Sequence, residues 1–491
     1  MLVSNSYPSI QMKRFPLYIL LASSVLFTSC EKELNQLPSG SLPSEQSISS
    51  LSGLTSAVRG VYSRLNTRYG YSGETAIFAD GRGGDVKIVV GSYNHSTAIH
   101  QFLTDKSSGF SAGAYQAFAT TSSRVNDILQ YVGSVEKTLS SSEKTQFNDQ
   151  VAQLYALRGL AHLELARLFS HIPTTGVNLD AAYSGIPLNT AVHPVGYRFQ
   201  RSTLRETYAQ VIADLTKSLE GLSKNKTLNS GAINYWAAAG LLARTYLYLG
   251  DWQNAYKYAS EVISSSPYTL YSVADYPSVW GKQGTSESLF EVLTTEKSNA
   301  GLNSLGGYTN PGVYPEFGAA DDFVTWVQTT RSNDVRAQLI SERSKAGGVA
   351  KAYYTTKYVG QDGASNATAM NNFKVIRLSE LYLIASEALL RGATASDGKT
   401  AVDYYNTLRR NRFSSYTPAA TSVTLQDILD ERRIEFFCEG HRAFDLLRNK
   451  INLTSQYVSG GTVNYLDWRT IVELPEREKN INPDLVVRAA Q

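Results

Sequence analysis

Apolar residues recur every three or four positions along several segments of the chain. Leu154, Leu157, Ala161, Leu165 and Leu168 fall on one face of a helix, and Leu204, Tyr208, Val211, Leu215, Leu219 and Leu222 on one face of another. The first stops near His171-Ile172-Pro173, because proline has no N–H to continue a helix. The second opens on Thr203-Leu204-Arg205-Glu206. In this capping-box spacing the hydroxyl and the carboxylate each accept from a backbone N–H at the helix start. Between Ala237 and Pro267 the pattern is sharper. Ala239, Ala243, Tyr246 and Leu249 form a stripe, Gly250-Asp251 breaks it, and Trp252, Ala255, Tyr256, Ala259 and Val262 begin another. Small residues let two helices approach closely, and glycine at the break accepts the left-handed conformation. This is the pattern of a tetratricopeptide-type hairpin. A weaker copy runs from Leu381 to Arg412, with Ala385 and Ala388 before a turn and Ala401, Tyr405 and Leu408 after it. The copies are too divergent and too widely spaced for a regular solenoid. They predict a mainly all-α fold of tetratricopeptide-like helix pairs, with long irregular loop insertions and a few short strands.

Two stretches lose the helical period. Residues 69–114 are rich in Gly, Ser and Tyr, with a β-like run from Val86 to Val90, and residues 267–372 are rich in Gly, Ser, Asn and Tyr. Long irregular segments within a folded chain usually carry function, so the binding surface is expected there.

The first thirty residues read as an address. Lys13 and Arg14 precede an apolar run from Phe15 to Phe27, about 13 residues and so short of the ~20 that span a bilayer. Leu26-Phe27-Thr28-Ser29-Cys30 follows: a large apolar residue, small residues, then a thiol. This order resembles the lipobox of bacterial lipoproteins and predicts a signal peptide over 1–29, with lipidation at Cys30 by acyl chains such as palmitate. Met12 is an alternative start. A polar tether rich in Asn, Ser and Pro is expected over 30–50, and a single helical domain over 51–491. Several acyl chains make such an anchor stable, and no later segment is long and apolar enough to span.

The bulk numbers narrow the function. The net charge is +3 with no run of like charges, and no zinc-finger, RRM or helix-turn-helix signature occurs, so nucleic acid is not an expected partner. The 31 tyrosines far outnumber the 17 phenylalanines and 5 tryptophans. Tyrosine combines a flat apolar face with a polar tip, which suits a surface that grips polar ligands. The chain has two cysteines, so a lipid on Cys30 leaves Cys438 without a partner for an intramolecular disulfide.

Candidate chemistry is sparse. The six histidines show no H-E-x-x-H or His–Cys spacing, and no G-x-S-x-G occurs, so neither a zinc site nor a serine nucleophile is predicted. Glu431, Glu435 and Glu439 recur at i, i+4 and i+8, beside Arg432, Arg433 and Arg442. A glycosidase carboxylate pair is one reading, and ion pairs pinning helix to helix the better one. Asp80-Gly81-Arg82-Gly83-Gly84-Asp85 reads either as a glycine-rich turn or as a binding loop. In the second reading its glycines admit a ligand to the backbone while Asp80, Arg82 and Asp85 bond to hydroxyls or to peptide termini. An Asp there could also hold Ca²⁺, but two carboxylates supply too few oxygens to assign a site, so no cofactor is predicted and Ca²⁺ stays open. For stacking against sugar rings, the aromatics on irregular segments are Tyr69, Tyr71 and Tyr93 in the first stretch and Trp280, Tyr308, Tyr314 and Trp326 in the second.

With these parts in order, the chain resembles the SusD/RagB family of outer-membrane nutrient-binding lipoproteins. The strongest match is Ile376-Arg377-Leu378-Ser379-Glu380-Leu381-Tyr382-Leu383-Ile384-Ala385-Ser386-Glu387-Ala388. Next comes Asp430-Glu431-Arg432-Arg433-Ile434-Glu435-Phe436 with Glu439-Gly440-His441-Arg442-Ala443-Phe444-Asp445-Leu446. Leu157-Arg158-Gly159 departs from the family's LRA helix by a glycine, Ser386 and Cys438 are untypical, and the C-terminal ending differs. The resemblance implies a non-catalytic protein on the outer face of the outer membrane of a Gram-negative bacterium. It implies a SusC-like TonB-dependent transporter as partner and oligosaccharides, or peptides in the RagB branch, as ligands. Glu31-Lys32-Glu33 resembles the family's surface-export signal. A surface hydrolase and an outer-membrane helical scaffold are the competing readings.

Overall fold

Helix packs on helix in chain order. The computed structural model describes residues 44–89, 95–224, 228, 231–313, 315–344, 351–364, 366–417 and 419–491. The expected signal segment, Cys30, and Tyr93 and Tyr314 lie outside the described residues. The stack runs α1 (Leu51–Leu65), α2 (Gly109–Leu129), α3 (Lys144–Phe169), α4 (Leu204–Gly221), α5 (Tyr235–Leu249), α6 (Trp252–Ser265), α7 (Leu378–Leu390) and α8 (Ala401–Arg410), each against the next. The two tetratricopeptide-like hairpins, α5–α6 and α7–α8, are therefore direct neighbours through α6 and α7, although more than a hundred residues separate these two helices in sequence. The insertions leave the stack without interrupting it.

The local signals that set these helices are in place. Thr203 and Glu206 form a complete capping box at the start of α4. Gly250 caps α5 at φ 76°, and Asp251 then accepts from the Asn254 N–H to start α6. α3 ends at Phe169, and Pro173 opens a short 3₁₀ turn. Gly159, the departure from the LRA pattern, has a packing reason: a Cβ there would lie 3.0 Å from Leu215 Cγ on α4. In the last part of the expected tether, Ser44–Ser47 is helical and Ile48 is buried against the core.

Among the described residues the strands form four antiparallel pairs. β1 (Val86–Ile88) pairs with β3 (Phe317–Ala319), and β2 (Ser288–Val292) with β6 (Phe373–Arg377). β4 (Ile340–Arg343) pairs with β5 (Ala352–Thr355), and Leu453–Thr454 with Thr462–Val463. β6 runs straight into α7, so the segment between β2 and β6 leaves and returns at one edge of the stack.

The first irregular stretch is more ordered than its composition predicts. Glu74–Arg82 is a helix with every residue buried. Its glycine is tolerated because neighbours press on it: a Cβ at Gly81 would lie 3.0 Å from the His100 ring.

Candidate functional site

The two irregular stretches meet. Val86 pairs with Ala319, Lys87 with Gly318 and Ile88 with Phe317. The ladder continues at both ends, with Ala320 N–H donating to the Asp85 carbonyl at 2.9 Å and Val89 N–H to the Glu316 carbonyl at 3.1 Å. Further along, Leu305 N–H donates to the Ser72 carbonyl at 2.8 Å. Gly318 is required in this ribbon, since a Cβ there would lie 2.6 Å from the Tyr353 carbonyl of β5.

A polar cluster lies at the Phe317 end. Glu74, Tyr308 and Glu316 are its buried members. Arg68 Nε donates to Glu74 Oε1 at 2.6 Å, and its Nη2 lies 3.2 Å from His95 Nδ1. The Tyr308 hydroxyl donates to Glu74 at 3.3 Å, and His95 N–H to Glu316 Oε2 at 3.0 Å. Burial raises the Glu74 carboxyl above its ordinary value, and the pull of Arg68 offsets only part of this. Half-exposed above this floor are Arg68, Tyr69, His95 and Asn303, with the Arg68 guanidinium 4.9 Å from the Tyr69 ring centre. The side of the Tyr69 ring facing α2 sits where a Cβ of Gly113 would be.

A cleft of about 420 Å³ lies at the Ala319 end, lined by Gly81, Gly84, Lys87, Asp321, Gln456 and Tyr457 among others. Lys87 and Asp321 pair across it at 2.5 Å. The Tyr457 hydroxyl accepts from Ile88 N–H and from Gln456 Nε2, both at 2.9 Å, and its ring stands edge-on to His100. Cluster and cleft are separated by the three-residue ribbon, roughly 10 Å at about 3.3 Å per residue. The surface thus offers an aromatic face, charges of both signs and amide or hydroxyl groups, the mixture that orients a hydroxyl-rich ligand.

Residues 254–471 match the model of the SusD family, and residues 36–247 a SusD-like model described as starch-binding associating with outer membrane. The chain belongs to the SusD/RagB family. A crystal structure of a SusD superfamily protein from Bacteroides thetaiotaomicron superposes with TM-score 0.81 at 26% identity, covering 90% of this chain and 100% of that one. A SusD-like protein of Formosa agariphila is 24% identical over 85% of this chain and 88% of its own. The starch-binding protein SusD of Bacteroides thetaiotaomicron is 34% identical over 18% of this chain and 16% of its own.

The SusD/RagB motif around Glu431, Glu435 and Glu439 is a buried charge network. Glu431 pairs with Arg331, Arg336 and Arg409, Glu435 with Arg336, Arg377 and Arg412, and Glu439 with Lys357 and Arg377. Burial alone would raise the Glu435 carboxyl. The guanidinium groups of Arg412, Arg377 and Arg336 reverse this and hold it well below the usual carboxylate range. The sequence-adjacent arginines face elsewhere: Arg432 pairs with Asp445, while Arg433 and Arg442 pair with Asp85. With each carboxylate held by cations and closed off from solvent, the network serves packing and leaves no room for a glycosidase pair.

Most of the residues singled out from the sequence turn out to be interior. Asp80 accepts from Gly440 N–H at 2.6 Å, and burial pushes its carboxyl well up. Arg82 donates to the Ile99 and Arg469 carbonyls and to Thr104. Asp80, Arg82 and Asp85 therefore do not form a binding loop, because their polar groups tie distant segments together inside the fold. Of that loop only the glycines, Gly81 and Gly84, reach the cleft. Tyr71 is buried in a stack on Phe373, with a ring separation of 5.3 Å. Trp280 is buried beneath Lys357, whose ammonium lies 4.5 Å from the ring centre, and beside the network. Tyr308 is fully buried and supports the cluster from below. Trp326 is half-buried, flanked by Arg331 and Arg433, on the helix Asp321–Thr330 whose first turn lines the cleft. Lys87, Gln456 and Tyr457 went unnoticed in the sequence; they share no motif and meet only through the ribbon. Among the described residues no cluster of His, Cys, Asp and Glu could hold a metal, and no helix is long and apolar enough to cross a membrane.

Proposed function

We propose that this chain is a cell-surface lipoprotein, anchored through Cys30, that binds oligosaccharide along the β1–β3 ribbon and passes it to a TonB-dependent outer-membrane transporter without chemical change. The observation that carries the reading is the junction of the two irregular stretches, with a 420 Å³ cleft at one end and the Arg68–Tyr69 cluster at the other. A sugar ring presents an apolar C–H face and a rim of hydroxyls. Tyr69 and Tyr457 suit the face, and Lys87, Asp321, Gln456, Arg68 and Asn303 suit the rim. The carbohydrate class draws support from the starch-binding description of the family model and of the Bacteroides thetaiotaomicron relative.

The test begins with the native complex. C-terminally tagged protein is extracted in mild detergent and analysed by mass spectrometry for partners and retained ligand. A large barrel protein together with a bound glycan is the expected result. Arg68→Ala and Tyr457→Ala should each weaken binding of that glycan by more than tenfold; Arg68→Ala also loses some stability because Glu74 loses its partner, and circular dichroism checks that both variants are folded. Recovery of the protein alone and empty would remove the transporter reading, and unchanged affinity in both variants would remove this surface as the binding site.

A further inference from the structure

A second pocket lies away from the ribbon, and we propose that it holds a single neutral hexose-type unit. Its volume is about 330 Å³, within the range of small-ligand sites. One wall is a stripe of α2: Ala112, Tyr115, Gln116, Ala119, Thr120 and Ser123, at i, i+3, i+4, i+7, i+8 and i+11. The opposite face of α2 buries Phe110, Ala114, Phe118 and Val125, so the stripe is turned outward by the core itself. Its two alanines leave the space, and its polar residues line it.

The second wall is the loop after residue 186. Asn189 is locked in place, donating to Ser123 Oγ at 2.9 Å and accepting from Asn126 at 2.9 Å. Phe199 brings an aromatic ring that is itself held rigid. His193 stacks on Tyr197 at 4.0 Å, and Phe199 stands edge-on to both, at 4.9 and 4.8 Å. The Phe199 carbonyl accepts from Asn482 Nδ2 at 2.6 Å, which ties the loop to the C-terminal segment. That segment closes the third side with Pro475, Arg477 and Glu478.

The side chains of Gln116, Thr120, Arg477 and Glu478 make no hydrogen bond to any other described residue, so their donors and acceptors are open to a ligand. Arg477 and Glu478 oppose one another in charge, and the rest are neutral. The pocket therefore favours an uncharged molecule with one apolar face and several hydroxyls. It shares no residue with the ribbon surface. The inference rests on the sugar-binding reading for its ligand class alone, and the two sites can fail separately. A chain with two such sites would hold a long glycan at two points and gain avidity for polymer over short fragments.

The test is saturation-transfer NMR on the full chain with glucose, galactose, mannose, xylose and N-acetylglucosamine as probes, and with leucine and glutamate as amino-acid controls. At least one sugar should give a signal that Gln116→Ala weakens severalfold and Phe199→Ala abolishes. The same signal should persist in Arg68→Ala and Tyr457→Ala, which isolates it from the ribbon site. Gln116 is exposed, so its variant folds even if the Phe199 variant loosens the loop. Saturation transfer to none of the sugars, to the amino acids alone, or undiminished in both pocket variants would overturn the proposal.

Discussion

Single residues carry their weight here mostly through buried charge. Glu435 is fully buried and neutralised by three arginines, so removing its charge strands cations in a low-dielectric interior. Breaking a buried pair from one side typically costs about 3–5 kcal/mol. Glu435→Gln should lose about that much in urea unfolding; a loss below ~1 kcal/mol would show the network to be dispensable. Histidines set the acid response. Burial, reinforced by Arg82, lowers His100 to about 4; burial also brings His162 to about 4, and burial with Arg201 brings His171 to about 4. In the unfolded chain these groups titrate near ~6.5. Between these values the unfolded state binds protons that the native state refuses, so stability falls as pH drops from about 6.5 toward 4. The carboxyls of Asp80 and Glu74, raised by burial, act in the opposite sense by binding protons in the native state, so the histidine share is the part that a histidine variant removes. Melting temperature measured from pH 7.5 to 5 should be flat above pH 7 and decline below 6.5, with a shallower decline in His162→Gln.

At the level of elements, what the sequence discloses depends on how local the cause is. The capping box of α4 and the glycine ending α5 involve residues within a few positions of one another, and both are where the pattern places them. Gly250→Ala forces a Cβ onto a left-handed residue and should cost about 1–2 kcal/mol. Thr203→Ala should cost about 1 kcal/mol. Both are measurable by chemical denaturation, and neither should change ligand affinity. The site was far less legible, because its causes are distant. Asp80, Arg82 and Asp85 read as a polar loop until their partners arrive from Gly440, Arg469 and Arg433, several hundred residues along the chain. Alternation and period cannot report such contacts. The same limit hid the stripe on α2, since small and polar residues on one helix face read as an ordinary solvated surface. Trp280 failed as a ligand platform for a related reason: its irregular segment folds back over the charge network instead of facing solvent.

For the whole molecule, the stack supplies a rigid spine from which both irregular stretches are hung, and their pairing through β1 and β3 makes one surface out of two distant parts of the chain. Such a body needs only to be tethered, because its fold is complete without the membrane. The lipid proposed at Cys30 therefore bears on location and not on affinity. Cys30→Ser should move the protein from the membrane to the soluble fraction, end its exposure to protease added outside the cell, and leave glycan binding by the purified protein unchanged. Metabolic labelling with palmitate gives a clean reading, because the other cysteine, Cys438, is buried and unavailable to an acyl donor. Loss of label together with loss of membrane association is the expected pair. If the serine variant stayed on the membrane without label and with its signal segment cleaved, attachment would have to come from a protein partner. The transporter complex would then be the true anchor, and the lipid a secondary one.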